Sequence, residues 1–292
     1  MKPGKIYGML YKASISAGFS FFATNGTSGR QDMGDLLSTI SASDKRRNLL
    51  VFLNSGPREW DDIKKTLAVT STGMLPQIKI LEDEYLIERD GRRYSLTPMG
   101  KVLSDRLVPL VQTIGIFDRH KKFWQDHNLD VLPHEVLLNI GWLGDYGILA
   151  VPDEDLFNVN PFLANLASAK TLRGIAHTVH PKFPEFFTAL AKKNVRTSLI
   201  FTPKVYLIVS ENYADLLEQF LKCKSSELYV SRENLKFSFA VSDSYFSISL
   251  FYNSGVFDSK HDVISRDPSA LRWGDQIFTY FRERSEKIGT PG

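Results

Sequence analysis

Gln77 and Lys79 lie two residues apart, and Arg89, Arg92 and Arg93 crowd around an Asp90-Gly91 pair shortly after them. A glutamine amide both donates and accepts, so it can read a base edge, while ammonium and guanidinium groups neutralise phosphate. That set suits recognition of a polyanion rather than the breaking of a bond. Ser71 and Thr72 add short hydroxyls just upstream, and Arg46, Lys64 and Lys65 add cations on what the hydrophobic pattern makes solvent faces. Net charge contributes little, because Lys and Arg exceed Asp and Glu by only two over residues 43–101. Any electrostatic footprint must come from where the charges sit.

The elements that must position these groups are legible in outline. Trp60, Ile63 and Leu67 recur at helical spacing and predict a helix over Arg58 to Leu67, followed by a turn at Ala68-Val69. Thr70 or Ser71 can cap the next helix. Its Leu75, Ile78 and Leu81 mark a buried side, leaving Ser71, Thr72, Gln77 and Lys79 on the other, and Pro76 should bend it. Leu86 to Arg89 and Arg92 to Leu96 read as two strands around Asp90-Gly91 as a type I′ turn, and Thr97-Pro98-Met99-Gly100 opens a further helix. Helix, turn, helix, basic hairpin and helix is the order of a winged helix-turn-helix, whose expected partner is double-stranded DNA. The alternative is a winged helix that binds proteins and keeps its basic residues as a solvated face.

The 292 residues leave roughly 200 beyond one winged helix, enough for a second core. Hydrophobic content of 43% with 24% charged residues is globular, and no apolar run approaches the roughly 20 residues of a membrane span. The single cysteine, Cys223, excludes an internal disulfide and a cysteine-built zinc site and fits a reducing cytoplasm. Residues 1–32 read as a poorly ordered extension, 33–100 as the winged helix-turn-helix and 101–128 as a helical connector. Leu103, Leu107, Leu110, Ile114, Phe117 and Trp124 form an apolar seam through the connector that could pair two chains, and Pro109 should kink or divide it.

Residues 129–292 alternate helical and strand-like runs, the pattern of an α/β domain. Asn194 is placed to end a helix in the left-handed conformation, Tyr206–Val209 reads as a strand, Lys236–Val241 and Tyr245–Phe251 as a hairpin, and Arg272–Arg284 as a closing amphipathic helix. Polar and aromatic groups at strand ends and helix starts are the candidate ligand contacts: Asp145, His180, Thr202, Tyr206, Asp243 and Trp273. No glycine-rich phosphate loop, Gly-x-Ser-x-Gly elbow or His-Glu-x-x-His helix is present. His177 and His180 lack a cysteine or acidic neighbour in sequence, which disfavours a metal. No catalytic residue, metal or cofactor is therefore expected. An enzyme in the C-terminal domain would need titratable groups gathered from distant positions.

The runs Asp44-Lys45-Arg46-Arg47-Asn48-Leu49-Leu50 and Thr70 to Lys79, with Leu250-Phe251, Gly255, Phe257-Asp258 and Ala270 to Gly274, resemble archaeal transcriptional regulators known mainly from methanogens. These pair an ArsR-like winged helix with the domain named after the methanogen filamentation regulator. The resemblance covers about Met33 to Lys287 and implies transcriptional control, in several members of methanogenesis genes. The second domain is also distantly similar to non-catalytic phospholipase-D-like effector modules. His180-Pro181-Lys182 echoes that active site, but Phe187 stands where its aspartate would fall. The expectation is an α+β winged helix joined by the connector to a non-catalytic, distantly phospholipase-D-like α/β domain. It would act as a cytoplasmic homodimer under an unknown small-molecule effector.

Overall fold

The computed structural model describes residues 30–151 and 159–289. Most of the expected extension lies outside the described residues, and its last three positions begin a helix. The chain divides into two compact units between Val108 and Pro109.

The first unit contains α1 (Arg30–Ser41), α2 (Asp44–Leu53), β1 (Arg58–Glu59), α3 (Trp60–Thr66), α4 (Ser71–Asp83), β2 (Ile87–Asp90), β3 (Arg93–Leu96) and the start of α5 (Pro98–Arg119). The strands form one sheet in the order β1-β3-β2. This is a winged helix-turn-helix architecture. The expected helix over Arg58 to Leu67 is shorter, because Arg58 and Glu59 pair with Tyr94 and Arg93 as an edge strand. Leu49, Leu50 and Leu53 of α2, Ile63 of α3, and Met74, Ile78 and Leu81 of α4 converge on Leu86, Ile87 and Tyr94 in one core. Thr97 caps α5: its Oγ1 donates to Tyr85 O and accepts from Gly100 N at 3.0 Å. Glycine is required at position 100, where a Cβ would lie 1.8 Å from Leu86 O.

The wing departs from the expected turn by one position. Asp90 pairs with Arg93 and Ile87 with Leu96, so Gly91-Arg92 forms the tip rather than Asp90-Gly91. Gly91 has φ +57° and Arg92 is not left-handed, a type II′ pattern instead of type I′. The observed register sets apolar Ile87 opposite apolar Leu96 and Arg89 over the Tyr94 ring at 5.4 Å. Cross-strand pairs of this kind fix a short hairpin. Helix α5 runs unbroken through Pro109, and the expected division falls later, at His120, before α6 (Lys121–Asp126).

The second unit holds an eight-stranded sheet ordered β11-β7-β6-β5-β8-β9-β10-β4. Along the chain come α7 (His134–Leu137), β4 (Tyr146–Ala150), α8 (Asn160–Leu166), β5 (Thr171–Ala176), α9 (Phe183–Lys192), β6 (Arg196–Phe201), α10 (Pro203–Asn212) and α11 (Ala214–Lys222). They are followed by β7 (Ser226–Ser231), β8 (Phe237–Ser242), β9 (Phe246–Leu250), β10 (His261–Ser265), α12 (Pro268–Arg282) and β11 (Ser285–Ile288). Strands β5, β6 and β7 are parallel, and the other neighbours are antiparallel. Asn194 takes φ +62° behind α9, as its residue type suggests. Tyr206–Val209 is not a strand but lies in α10, which Thr202 caps and Pro203 opens. Helix α12 begins at Pro268, capped by Asp267, and ends at Arg282, leaving room for β11.

The sheet's two faces carry different residues. Phe237, Phe239 and Val241 of β8, Phe246, Ile248 and Leu250 of β9, Ile175 of β5 and Val263 of β10 pack on Trp273, Ile277, Phe278 and Phe281 of α12. The alternate positions, Ser238, Ala240, Ser247, Ser249, Gly174 and Asp262, are small or polar and face the other way.

A buried polar cluster joins the end of α6 to the strands. His127 Nε2 and His261 Nδ1 both lie 2.9 Å from Asp258 Oδ2, and His127 Nδ1 lies 2.7 Å from Phe123 O. Burial alone would raise the Asp258 carboxyl. The Lys260 amide, the Tyr252 hydroxyl and the two imidazoles outweigh it and hold the group below its usual range. Burial, then the bond to Asp258, pushes the Tyr252 phenol up to about 12. Because the folded pKa of Asp258 is depressed, its contribution to stability is complete above the ordinary carboxylate range and is lost as pH falls through the folded value. Asp258→Ala should therefore cost about 3 kcal/mol at pH 7, read from urea unfolding of the second unit, and flatten its stability loss on acidification. An unchanged unfolding midpoint would show that the cluster contributes nothing.

Candidate nucleic-acid interface

Helix α4 is set in place at its start and along its buried face. Thr70 Oγ1 accepts from Gly73 N at 3.3 Å, which caps the helix, and Ala68 at φ +51° makes the tight turn between α3 and α4. Burial of Met74, Ile78 and Leu81 then fixes the rotation about its axis. The expected buried set contained Leu75, but Leu75 is 46% exposed and Met74 fills the core instead. The outward face consequently carries Thr72, Leu75, Pro76 and Lys79. Leu75 was missed because its neighbour is equally apolar and a one-position rotation exchanges them.

Gln77 does not point freely outward. Its Oε1 accepts from Arg46 Nη1 at 2.7 Å, and Ser43 Oγ lies 3.4 Å away. The Arg46 guanidinium also donates through Nε to Thr39 O. One arginine thus ties α1, α2 and α4 together, and the expected exposed pair of Arg46 and Gln77 is half-buried and engaged internally. Lys45 Nζ donates to Gly73 O at 3.2 Å beside the start of α4.

The remaining expected contacts are exposed to different degrees of freedom. Lys79 pairs with Asp83 at 2.9 Å, and that hydrogen bond, with the aspartate's charge, raises the lysine pKa. Lys64 approaches Asp61 only at 3.9 Å, whereas Lys65 and Arg92 are exposed and have no ion pair among the described residues. Arg89 donates to Gly91 O at 2.9 Å, and Arg93 lies 3.7 Å from Glu59. Ser71 is half-buried and Thr72 exposed at the first turn of α4. The first unit therefore presents a capped helix with a mixed hydroxyl, apolar and basic face, and a wing tipped by Arg92. Such a face can meet base edges and methyl groups while the wing meets phosphate.

The six expected ligand contacts do not converge. Asp145 is exposed and paired with Arg119 at 2.9 Å. Thr202 is buried as the cap of α10, Tyr206 lies half-buried within α10 against the core that holds Val205, Val209 and Phe220, and Trp273 is buried with Nε1 donating to Val136 O at 2.9 Å. Asp243 accepts from the Lys170 and Thr171 amides, which outweigh burial and hold its carboxyl below the usual range. His180 lies 5.4 Å from the Phe183 ring, and its Nδ1 accepts from Lys182 N at 3.2 Å. The second unit does contain a cavity of about 350 Å³ on the small-residue face of the sheet, and none of the six lines it. Its polar floor includes Asp262, Ser247 and Ser249, and its aromatic wall Phe162, Phe183 and Phe187. The alternations Phe-Ser-Phe-Ala-Val in β8 and Phe-Ser-Ile-Ser-Leu in β9 carried that signal in the sequence.

Two family models match the chain. They are the N-terminal domain of the methanogenesis regulatory protein FilR1, over residues 35–115, and the middle domain of the same protein, over residues 158–284. The methanogenesis regulatory protein FilR1 of Methanothrix harundinacea (strain 6Ac) is 26% identical over 263 residues. The match covers 88% of this chain and 59% of that relative, so the chain spans a little over half the relative's length. Among solved structures, TrmBL2, described as an archaeal chromatin protein with a novel mode of DNA binding, aligns with a TM-score of 0.40 at 12% identity, over 84% of this chain and 94% of that one. A phosphatidylserine synthase of Haemophilus influenzae Rd KW20 aligns with a TM-score of 0.35 at 13% identity, over 50% of this chain and 40% of that one.

The Arg46–Gln77 bond predicts non-additivity. In a double-mutant cycle on unfolding, Arg46→Ala and Gln77→Ala should couple by about 1 kcal/mol, because either change alone already breaks the bond. Additive effects would mean that the two side chains act independently and that Gln77 is available for other partners.

Proposed function

We propose that this chain, which belongs to the family of the methanogenesis regulatory protein FilR1, is a transcriptional regulator that binds double-stranded DNA in a sequence-dependent way. The observation that carries the proposal is the outward face of α4, with Thr72, Leu75 and Lys79 exposed on a helix whose other side is locked in the core. Thr72 would hydrogen-bond a base edge or phosphate, Leu75 would touch a thymine methyl group, and Lys79 would neutralise phosphate. Ser71, Lys64, Lys65, Arg89, Arg92 and Arg93 would contribute contacts to the backbone. Arg46 and Gln77 would support α4 from behind.

In this reading residues 33–100 form the DNA-binding part, 101–128 the connector and 129–292 an effector-sensing part. The winged helix is ArsR-like, and the second part is a distantly phospholipase-D-like module without catalysis. Control would be a shift in population: an effector that binds one arrangement of the second part more tightly biases the arrangement of two reading heads. A homodimer in the cytoplasm matches the two-fold symmetry of common operators. Leu110 and Ile114, one helical turn apart and 55% and 49% exposed on α5, support self-association.

The test is a salt titration of binding to a fragment of the protein's own promoter. Affinity should fall linearly on a logarithmic scale, and Lys65→Ala and Arg92→Ala should each reduce the slope by about one unit while leaving stability nearly unchanged. Binding that ignores salt would instead point to a winged helix used for protein contacts.

A further inference from the structure

The cavity on the small-residue face has a defined chemistry. Positions that alternate with Phe239, Phe246 and Ile248 hold Ala240, Ser247 and Ser249, so the sheet is bulky toward α12 and hollow on the other side. The volume, about 350 Å³, falls within the range of about 300–1,000 Å³ typical of small-molecule pockets. Phe162, Phe183 and Phe187 supply an apolar, aromatic wall. Among the described residues Asp262 is the one ionisable side chain of the lining, with no Lys, Arg or His beside it there. Its Oδ1 accepts from Ser249 Oγ, a neutral donor, and the charge of His261 offsets only part of what burial and Asp258 cost the carboxylate.

We propose that this cavity binds a small organic amine, with its apolar body against the phenylalanines and its ammonium group on Asp262, and that this is the effector site of the regulator. The proposal rests on the effector-controlled reading of the second unit. Burial is the main cause that raises the Asp262 carboxyl, the Asp258 charge adds to it, and an ammonium would relieve both. A charged partner also forms the stronger hydrogen bond in a desolvated site, and the phenylalanine faces attract a cation in their own right. An anionic ligand of the same shape would meet the carboxylate and be excluded.

Calorimetric titration of the full chain with 3-phenylpropylamine, 3-phenylpropan-1-ol and 3-phenylpropanoate separates the alternatives, because the three share one apolar body. The amine should bind at least about tenfold more tightly than the alcohol, and the carboxylate most weakly. Asp262→Asn keeps an acceptor for Ser249 and removes the charge. It should cost the amine about tenfold and leave the alcohol within about threefold. Ala240→Leu, which fills the hollow face, should weaken all three, and circular dichroism checks that both variants fold. Failure of the wild-type chain to bind the amine, equal binding of amine and carboxylate, or an amine affinity untouched by Asp262→Asn would each overturn the proposal. Promoter binding measured on the same samples keeps the two readings apart, since loss of DNA binding would strike the regulator reading, whereas intact DNA binding without amine binding would strike the cavity alone.

Discussion

Burial of Met74, Ile78 and Leu81 fixes the rotation of α4, and nearly everything the first unit offers to a partner follows from that angle. A helix turned by one residue would present Met74 to solvent and withdraw Leu75. In the observed rotation Gln77 lies along the flank, within reach of Arg46, and the guanidinium binds it while reaching back to Thr39 O. The outward face and its support are therefore set by the same three apolar side chains. Capping by Thr70 and the left-handed Ala68 complete the constraint at the helix start.

The second unit is organised by a comparable asymmetry. Alternation along β8 and β9 sends phenylalanine, valine, isoleucine and leucine to α12 and sends serine and alanine to the opposite face. Close packing on one side supplies the stability that lets the other side remain hollow, since a cavity costs the contacts its lining would otherwise make. The buried Asp258, with His127 and His261, joins the end of α6 to the strands that carry this cavity, because Asp262 lies one residue beyond His261.

What local chemistry dictates could be read from the sequence. Thr70 as a cap, Asn194 as a left-handed stop, the paired strands of the wing and the order of helices and hairpin depend on residues close in the chain. The misreadings arose where distant contacts decide. Leu75 and Met74 exchange roles through core packing, and the Ile87–Leu96 pair sets the tip of the wing at Gly91-Arg92. Tyr206–Val209 has the composition of a strand but is held in a helix by the Thr202 cap and Pro203. Strand β11, Ser-Glu-Lys-Ile, has no apolar alternation and exists because β7 offers it an edge. The ligand contacts chosen by residue type, among them Trp273 and Thr202, serve the core and a helix cap, whereas the cavity is defined by small residues that attract no notice singly.

In the proposed function the first turn of α4, which carries Thr72, enters the major groove of DNA. With Cys223 replaced by serine and Thr72→Cys carrying an iron chelate, radical cleavage of promoter DNA tests this directly, since Cys223 is the chain's one native thiol. Strong cleavage is expected, confined to a few base pairs within the bound site, centred on the major groove and abolished by competing operator. Cleavage spread evenly along the fragment, or none above the level of free chelate, would contradict it.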